Sequence, residues 1–131
     1  MCVPSLERAS DQAAPAVLLL TFGSPEGDHD LGPFLVGVLA REPAPHEVTD
    51  LRRRHHQVGW SPLVRITGEL AAALEARLAS PTPGALVRVG TRHAHPTTDD
   101  GIAALAPTGA RSILAIPLAP QHGPQGCAKV E

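Results

Sequence analysis

The segment Ala16-Val17-Leu18-Leu19-Leu20-Thr21-Phe22 carries no charge and stops at Gly23-Ser24-Pro25. A surface helix would interrupt such a run with polar residues at helical spacing, and a half-exposed strand would alternate. A segment apolar on both faces and ended by Gly and Pro reads as a strand of a parallel sheet, covered on both sides. The longer run from Ala13 to Phe22 falls short of the roughly 20 apolar residues that span a bilayer. Glu7, Arg8 and Asp11 ahead of it do not make the basic start of a signal peptide. A soluble, cytoplasmic chain is expected, with no membrane span.

Parallel strands need crossover connections, and helical patterns supply them. Asp30 stands at an N-cap position before Leu31, Phe34, Leu35, Val38 and Leu39, which share one helical face. Gly32, Pro33 and Gly37 weaken that helix, and Pro43-Ala44-Pro45 ends it. A second helix is expected from His46 to Val58, with Val48, Leu51, His55 and Val58 on one side and Gly59 at the C′ position. Ser61 as N-cap and Pro62 at the first helical position open a third, which carries Leu63, Ile66, Leu70, Ala73, Leu74 and Leu78 on one face. Residues 80–84 (SPTPG) are a turn, and Leu86 to Gly90 a second strand. Thr97 or Thr98 caps a short helix with Asp99 and Asp100 in its first turn. Pro107 and Gly109 end it, and Ser112 to Leu118 is a third strand.

Strand, helices, strand, helix, strand is the order of an α/β fold, a small parallel sheet flanked by helices with right-handed crossovers. The boundaries are a flexible leader over 1–15, an α/β domain over 16–122 and a Gly/Pro-rich tail over 123–131. Three strands leave two open sheet edges, so the chain looks unfinished or in need of a partner.

Composition narrows the function. The 131 residues fit one domain. Of the 43% that are hydrophobic many are Ala, while 16 Leu, 10 Val and 4 Ile can fill one modest core. Phe22, Phe34 and Trp60 are the only aromatic residues besides His, which argues against a stacking platform for single-stranded nucleic acid. With 11 basic against 13 acidic residues, the chain suits neither a phosphate backbone nor an anionic membrane surface. Cys2 and Cys127 lie near the ends and no CxxC or HExxH occurs, so neither a structural zinc site nor a disulfide framework is expected. Gly23-Ser24-Pro25-Glu26-Gly27 has neither nucleotide-binding glycine pattern.

Ligands of open parallel sheets bind beyond the carboxyl ends of the strands. The loops leaving those ends are 22–27, 91–96 and 120–123, and they would bring Phe22, Arg92, His93, His95 and His122 to one rim. The plain alternative is polar loops over a packed sheet. Arg52-Arg53-Arg54 is either a solvated helix face or an anion holder. His55 and His56 point about 100° apart and cannot chelate one metal from the same helix. His93-x-His95 has ligand spacing, but two ligands alone do not make a metal site. Ser61 has no evident partner base and fits a cap better than a nucleophile.

Four segments, in order, resemble the ferrochelatase family. Leu18 to Gly27 (LLLTFGSPEG) is similar to its opening strand and Gly-x-Pro-Glu loop. Gly59-Trp60-Ser61-Pro62-Leu63 with the following helix resembles its Ser-Pro-Leu segment. Val87 to Pro96 (VRVGTRHAHP) resembles its second-strand motif, and Ile116 to Gln121 (IPLAPQ) its Leu-Pro-Leu-x-Pro-Gln motif. Phe22 is closer to the Gram-positive type, which acts on coproporphyrin.

The resemblance implies a chelatase-type, flavodoxin-like half and insertion of Fe²⁺ into a porphyrin, coproporphyrin III or protoporphyrin IX, in haem synthesis. Iron is then a substrate, and no organic cofactor is implied. Gripping the macrocycle's edge and propionates would supply the energy that bends it toward the metal, and a base would take the two N–H protons. Phe22 falls where many members carry Tyr; a phenyl ring can pack on the macrocycle but cannot ligate. Arg54 and His55 align with a porphyrin-contacting Arg-Tyr pair, Ser61 with a porphyrin-contacting Ser, and Arg92 and His93 with a basic-His pair at the cleft rim. The family's metal-handling His and its acidic partner belong to a second half not present here, in a chain about twice as long. The resemblance therefore implies an amino-terminal half whose catalytic second half is missing. A short homodimeric chelatase of the cobalamin or sirohaem type is the alternative, with His122 as its replacement ligand. A non-catalytic tetrapyrrole-binding module is another.

Overall fold

The computed structural model describes residues 13–119. Among them, strand β1 (Ala16–Thr21) is central, with β2 (Leu86–Thr91) on one side and β3 (Leu114–Pro117) on the other, all parallel. Val17 pairs with Val87 and Leu114, and Leu19 with Val89 and Ile116. Between β1 and β2 lie α1 (Leu31–Leu39), α2 (Pro45–Val58) and α3 (Leu63–Leu78); α4 (Thr98–Ala104) links β2 to β3. The α/β parallel sheet flanked by helices is the architecture that the element order specifies.

The charge-free run explains the centre of the sheet. Residues 16–20 are all buried because β1 presents one side chain to each face in turn and both faces are covered. Val17 and Leu19 join Ala71, Val87 and Val89, with Leu74 and Leu78 of α3 against them. Ala16, Leu18 and Leu20 face the other way and pack with Leu105. There α4 lies directly on the sheet: a Cβ at Gly101 would come within 2.6 Å of the Val89 carbonyl oxygen and of Leu18. Only a hydrogen at that position lets the helix approach so closely.

Several local expectations shift. The sheet-facing stripe of α3 is Thr67, Ala71, Leu74 and Leu78, whereas Ile66 and Leu70, expected on the inner face, are exposed. Nearly every side of this helix has an apolar residue, and the small ones permit the closest approach to β1 and β2. Pro62, not Ser61, occupies the N-cap of α3, although Ser61 Oγ still accepts the Leu63 N–H at 3.3 Å. Asp30 makes no cap hydrogen bond; its carboxylate accepts the Glu26 N–H, following a 3-10 turn over Asp28–Asp30. Pro45 opens α2, whose free Ala44 N–H is met by the Glu47 carboxylate at 2.7 Å. Val58, expected on the apolar side of α2, is 84% exposed.

β3 is the least covered strand, and Leu114 is 62% exposed. No helix among the described residues is long and apolar enough to cross a membrane. Most of the expected leader, all of the tail over 123–131 and His122 lie outside the described residues.

Candidate functional site

The carboxyl ends of β1 and β2 are tied together by backbone. The Arg92 N–H donates to the Thr21 carbonyl at 3.1 Å and the His93 N–H to the Phe22 carbonyl at 3.0 Å. The loop after β2 then folds back on itself: the Thr91 N–H donates to the Pro96 carbonyl, and the Thr91 hydroxyl donates to the Ala94 carbonyl and accepts its N–H. A buried threonine is a good pivot here, since its hydroxyl can donate and accept at once. The result sets Phe22 beside His93, with ring centroids 4.7 Å apart at 66°.

Phe34 of α1 completes an aromatic corner. Its ring stands edge-on to Phe22 at 6.2 Å and to His93 at 6.4 Å. Such edge-to-face pairs put the positive edge of one ring on the negative face of another and hold both in place. A cavity of about 540 Å³ opens beside this corner. The 24–30 loop and turn, α1 through Phe34 and Gly37, and the 92–97 loop form its walls. It is mostly apolar with a polar rim of Glu26, His29, Asp30, Arg92 and His95. Ser24, on the same wall, has its Oγ buried with no hydrogen-bond partner among the described residues.

Thr97 closes the floor at the start of α4. Its hydroxyl accepts the Asp100 N–H at 3.1 Å while the Asp100 carboxylate accepts the Thr97 N–H at 2.8 Å, a complete capping box. The Thr97 N–H first, and then the Thr97 hydroxyl, hold the Asp100 carboxyl below its ordinary range against the opposing effect of burial, with His95 at 3.4 Å adding to them.

The opposite rim is tethered to α2. The carboxylate of Asp28 receives Arg52 Nε at 3.1 Å and lies 3.1 and 3.2 Å from His56 Nε2. Burial pushes the Asp28 carboxyl up, but the bond and charge of His56 and then those of Arg52 outweigh it, and the carboxyl sits below its ordinary range.

Of the residues singled out from sequence, Arg92, His93 and His95 line the cavity, and Phe22 stands against His93 without lining it. Arg54, His55 and Ser61 do not line the cavity. His55 stacks on Trp60 at 5.0 Å and its Nδ1 lies 2.9 Å from the Leu51 carbonyl oxygen, while Arg54 is exposed on the same helix. Arg52 and His56 of α2 bond Asp28 of the 28–30 turn, and they too lie outside the cavity lining. Phe34, His29 and Gly37 were not foreseen in that lining, whereas Ser24 belongs to the 22–27 loop expected at the rim; a helix placed over the strand ends would have been the signal for Phe34 and Gly37. Among the described residues no three of His, Cys, Asp and Glu are grouped so as to hold a metal ion.

A sequence model of the family described as ferrochelatase matches residues 14–131. The chain is 36% identical over 123 aligned residues to the ferrochelatase of Synechococcus elongatus, covering 80% of this chain and 32% of that protein. It is 34% identical over 118 residues to the coproporphyrin III ferrochelatase of Mycolicibacterium vanbaalenii, covering 88% and 35%. It is 30% identical over 131 residues to the ferrochelatase of Thermus thermophilus, covering 86% and 41%. The chain thus spans roughly a third of the length of the curated relatives it matches. With the family model running over most of its length, the chain belongs to the ferrochelatase family.

Proposed function

We propose that the described residues form one wall of a porphyrin-binding cleft, in a protein that serves insertion of ferrous iron into a porphyrin during haem synthesis. The observation that carries this reading is the aromatic corner of Phe22, Phe34 and His93, of which Phe34 and His93 line a largely apolar cavity together with Arg92. A flat macrocycle with ionised propionates needs both parts: ring faces and edges to lie against, and a guanidinium that can take a carboxylate in a fork. Coproporphyrin III, which has four such carboxylates, is the substrate we favour, because relatives that carry that name are among those matched. Binding on such a wall turns contact energy into distortion of the ring, which exposes the pyrrole nitrogens to the metal.

Phe22 packs against the macrocycle in this reading; iron and proton handling fall to groups beyond the described residues. Arg54, His55 and Ser61 are held as contacts to a more distant edge of the porphyrin, on the strength of the resemblance alone. A cytoplasmic location belongs to the same reading and rests on the class of reaction.

The test is titration of the full 131-residue chain with coproporphyrin III and protoporphyrin IX, followed through the Soret band, with and without Fe²⁺ under anaerobic conditions. A saturable Soret shift that is weakened in Arg92→Ala and Phe22→Ala supports the reading. No shift in the wild-type chain refutes it. Iron insertion by the chain alone would keep the binding wall but overturn the placing of metal and proton chemistry elsewhere. A dimer on gel filtration that inserts a metal would favour the short homodimeric alternative.

A further inference from the structure

Helix α1 is a poor helix by composition, with Gly32, Pro33 and Gly37 in nine residues. A glycine in a helix costs stability relative to alanine, so each one calls for a reason. Gly32 shows none: a Cβ there would meet nothing within 4 Å. Gly37 does. A Cβ there would stand 2.9 Å from Nδ1 of His93, 3.6 Å from its Cγ and 3.7 Å from its Cβ.

The first of those distances is closer than carbon and nitrogen tolerate, so one partner would have to move. His93 has little freedom to give way. Phe22 stands against its ring at 4.7 Å, Phe34 lies edge-on at 6.4 Å, and its backbone is bonded to Phe22. Gly37 and His93 both line the cavity. The bare backbone of α1 is therefore the seat of the imidazole.

We propose that Gly37 is a positioning residue: by lacking a side chain it seats the His93 ring between Phe22 and Phe34 and sets the width of the cavity on the α1 side. Its consequence for ligands rests on the porphyrin-cleft reading; its consequence for His93 does not.

The experiment compares Gly37→Ala with Gly32→Ala in the full chain. In the protein without ligand, the His93 ring resonances, and those of Phe22 and Phe34 beside it, are expected to shift in Gly37→Ala and to stay in place in Gly32→Ala. Coproporphyrin III affinity is expected to fall about tenfold in Gly37→Ala only, the scale of one lost polar or aromatic contact. His93 resonances unchanged in Gly37→Ala, or shifted equally in both variants, overturn the proposal. If the wild-type chain binds no porphyrin, the cleft reading fails while the resonances still decide the role of Gly37. Should Gly37→Ala not fold, the double variant with His93→Ala decides: recovery of folding supports the clash with the imidazole, and continued failure overturns it.

Discussion

Truncating Leu19 to Ala tests where the stability of this sheet resides. Leu19 is 2% exposed on the central strand, paired to Val89 on one side and Ile116 on the other, with α3 over its face. Removing three carbons forfeits about 2.4 kcal/mol of transfer free energy at ~0.8 kcal/mol each. Strands on both flanks hold the backbone in place, so the void cannot close, and the cavity adds about 1 kcal/mol more. The sum is about 3.5 kcal/mol. An unfolding entropy of ~2.1 cal/mol/K per residue over the described domain converts this to a drop of about 15 °C in Tm. Leu114→Ala makes the same chemical change on β3, where 62% of the residue is already exposed. It should cost about 1 kcal/mol and about 4 °C. Thermal and urea unfolding of both variants, followed by circular dichroism, give the comparison. Equal losses would refute the reasoning: the burial described here would not set the stability of the sheet, and β3 would have a cover in solution.

Thr97→Ala removes the hydroxyl that caps α4 and should cost about 1 kcal/mol, read as a lower urea midpoint. Asp28→Asn removes the charge that ties the rim turn to Arg52 and His56; faster amide exchange over 28–30, with exchange in β1 unchanged, is the expected result. The Arg41 hydrogen bond, followed by that of the Ala44 N–H, pulls the Glu47 carboxyl from 4.5 down to about 2. A carboxyl lowered on folding stabilises fully above its unfolded value and loses that contribution as pH falls toward the folded one. The difference in urea midpoint between Glu47→Gln and wild type should therefore hold above about pH 5 and close between about 4.5 and 2.

How far the fold could be read from the chain depended on how many solutions each segment allowed. The run over 16–22 allowed one, because a charge-free segment bounded by Gly and Pro has no exposed face to offer. The apolar residues of α3 allowed more than one stripe. Thr67 and Ala71 won because small residues let the helix sit closer to the strands, which periodicity does not weigh. At the site, Phe22, Arg92 and His93 were legible because they directly follow strand ends. Phe34 read as an ordinary core position of a helix. Its place at the corner depends on how α1 lies across the strand ends, which no local pattern encodes. Arg52 and His56 belong to the same basic and His-rich stretch as Arg54 and His55. Only the helix's rotation decides which of them meet Asp28.

The order of the strands carries a cost during synthesis. Val17 finds its partners in Val87 and Leu114, roughly 70 and nearly 100 positions later in the chain. The most water-averse stretch therefore leaves the ribosome first and waits longest for its neighbours. At about 5–20 residues per second, several seconds pass before either flank can close on it. Throughout that interval Ala16–Thr21 is an unpaired template that any extended chain could join, so the yield of native protein should depend on growth temperature and chaperone supply more than its final stability would suggest.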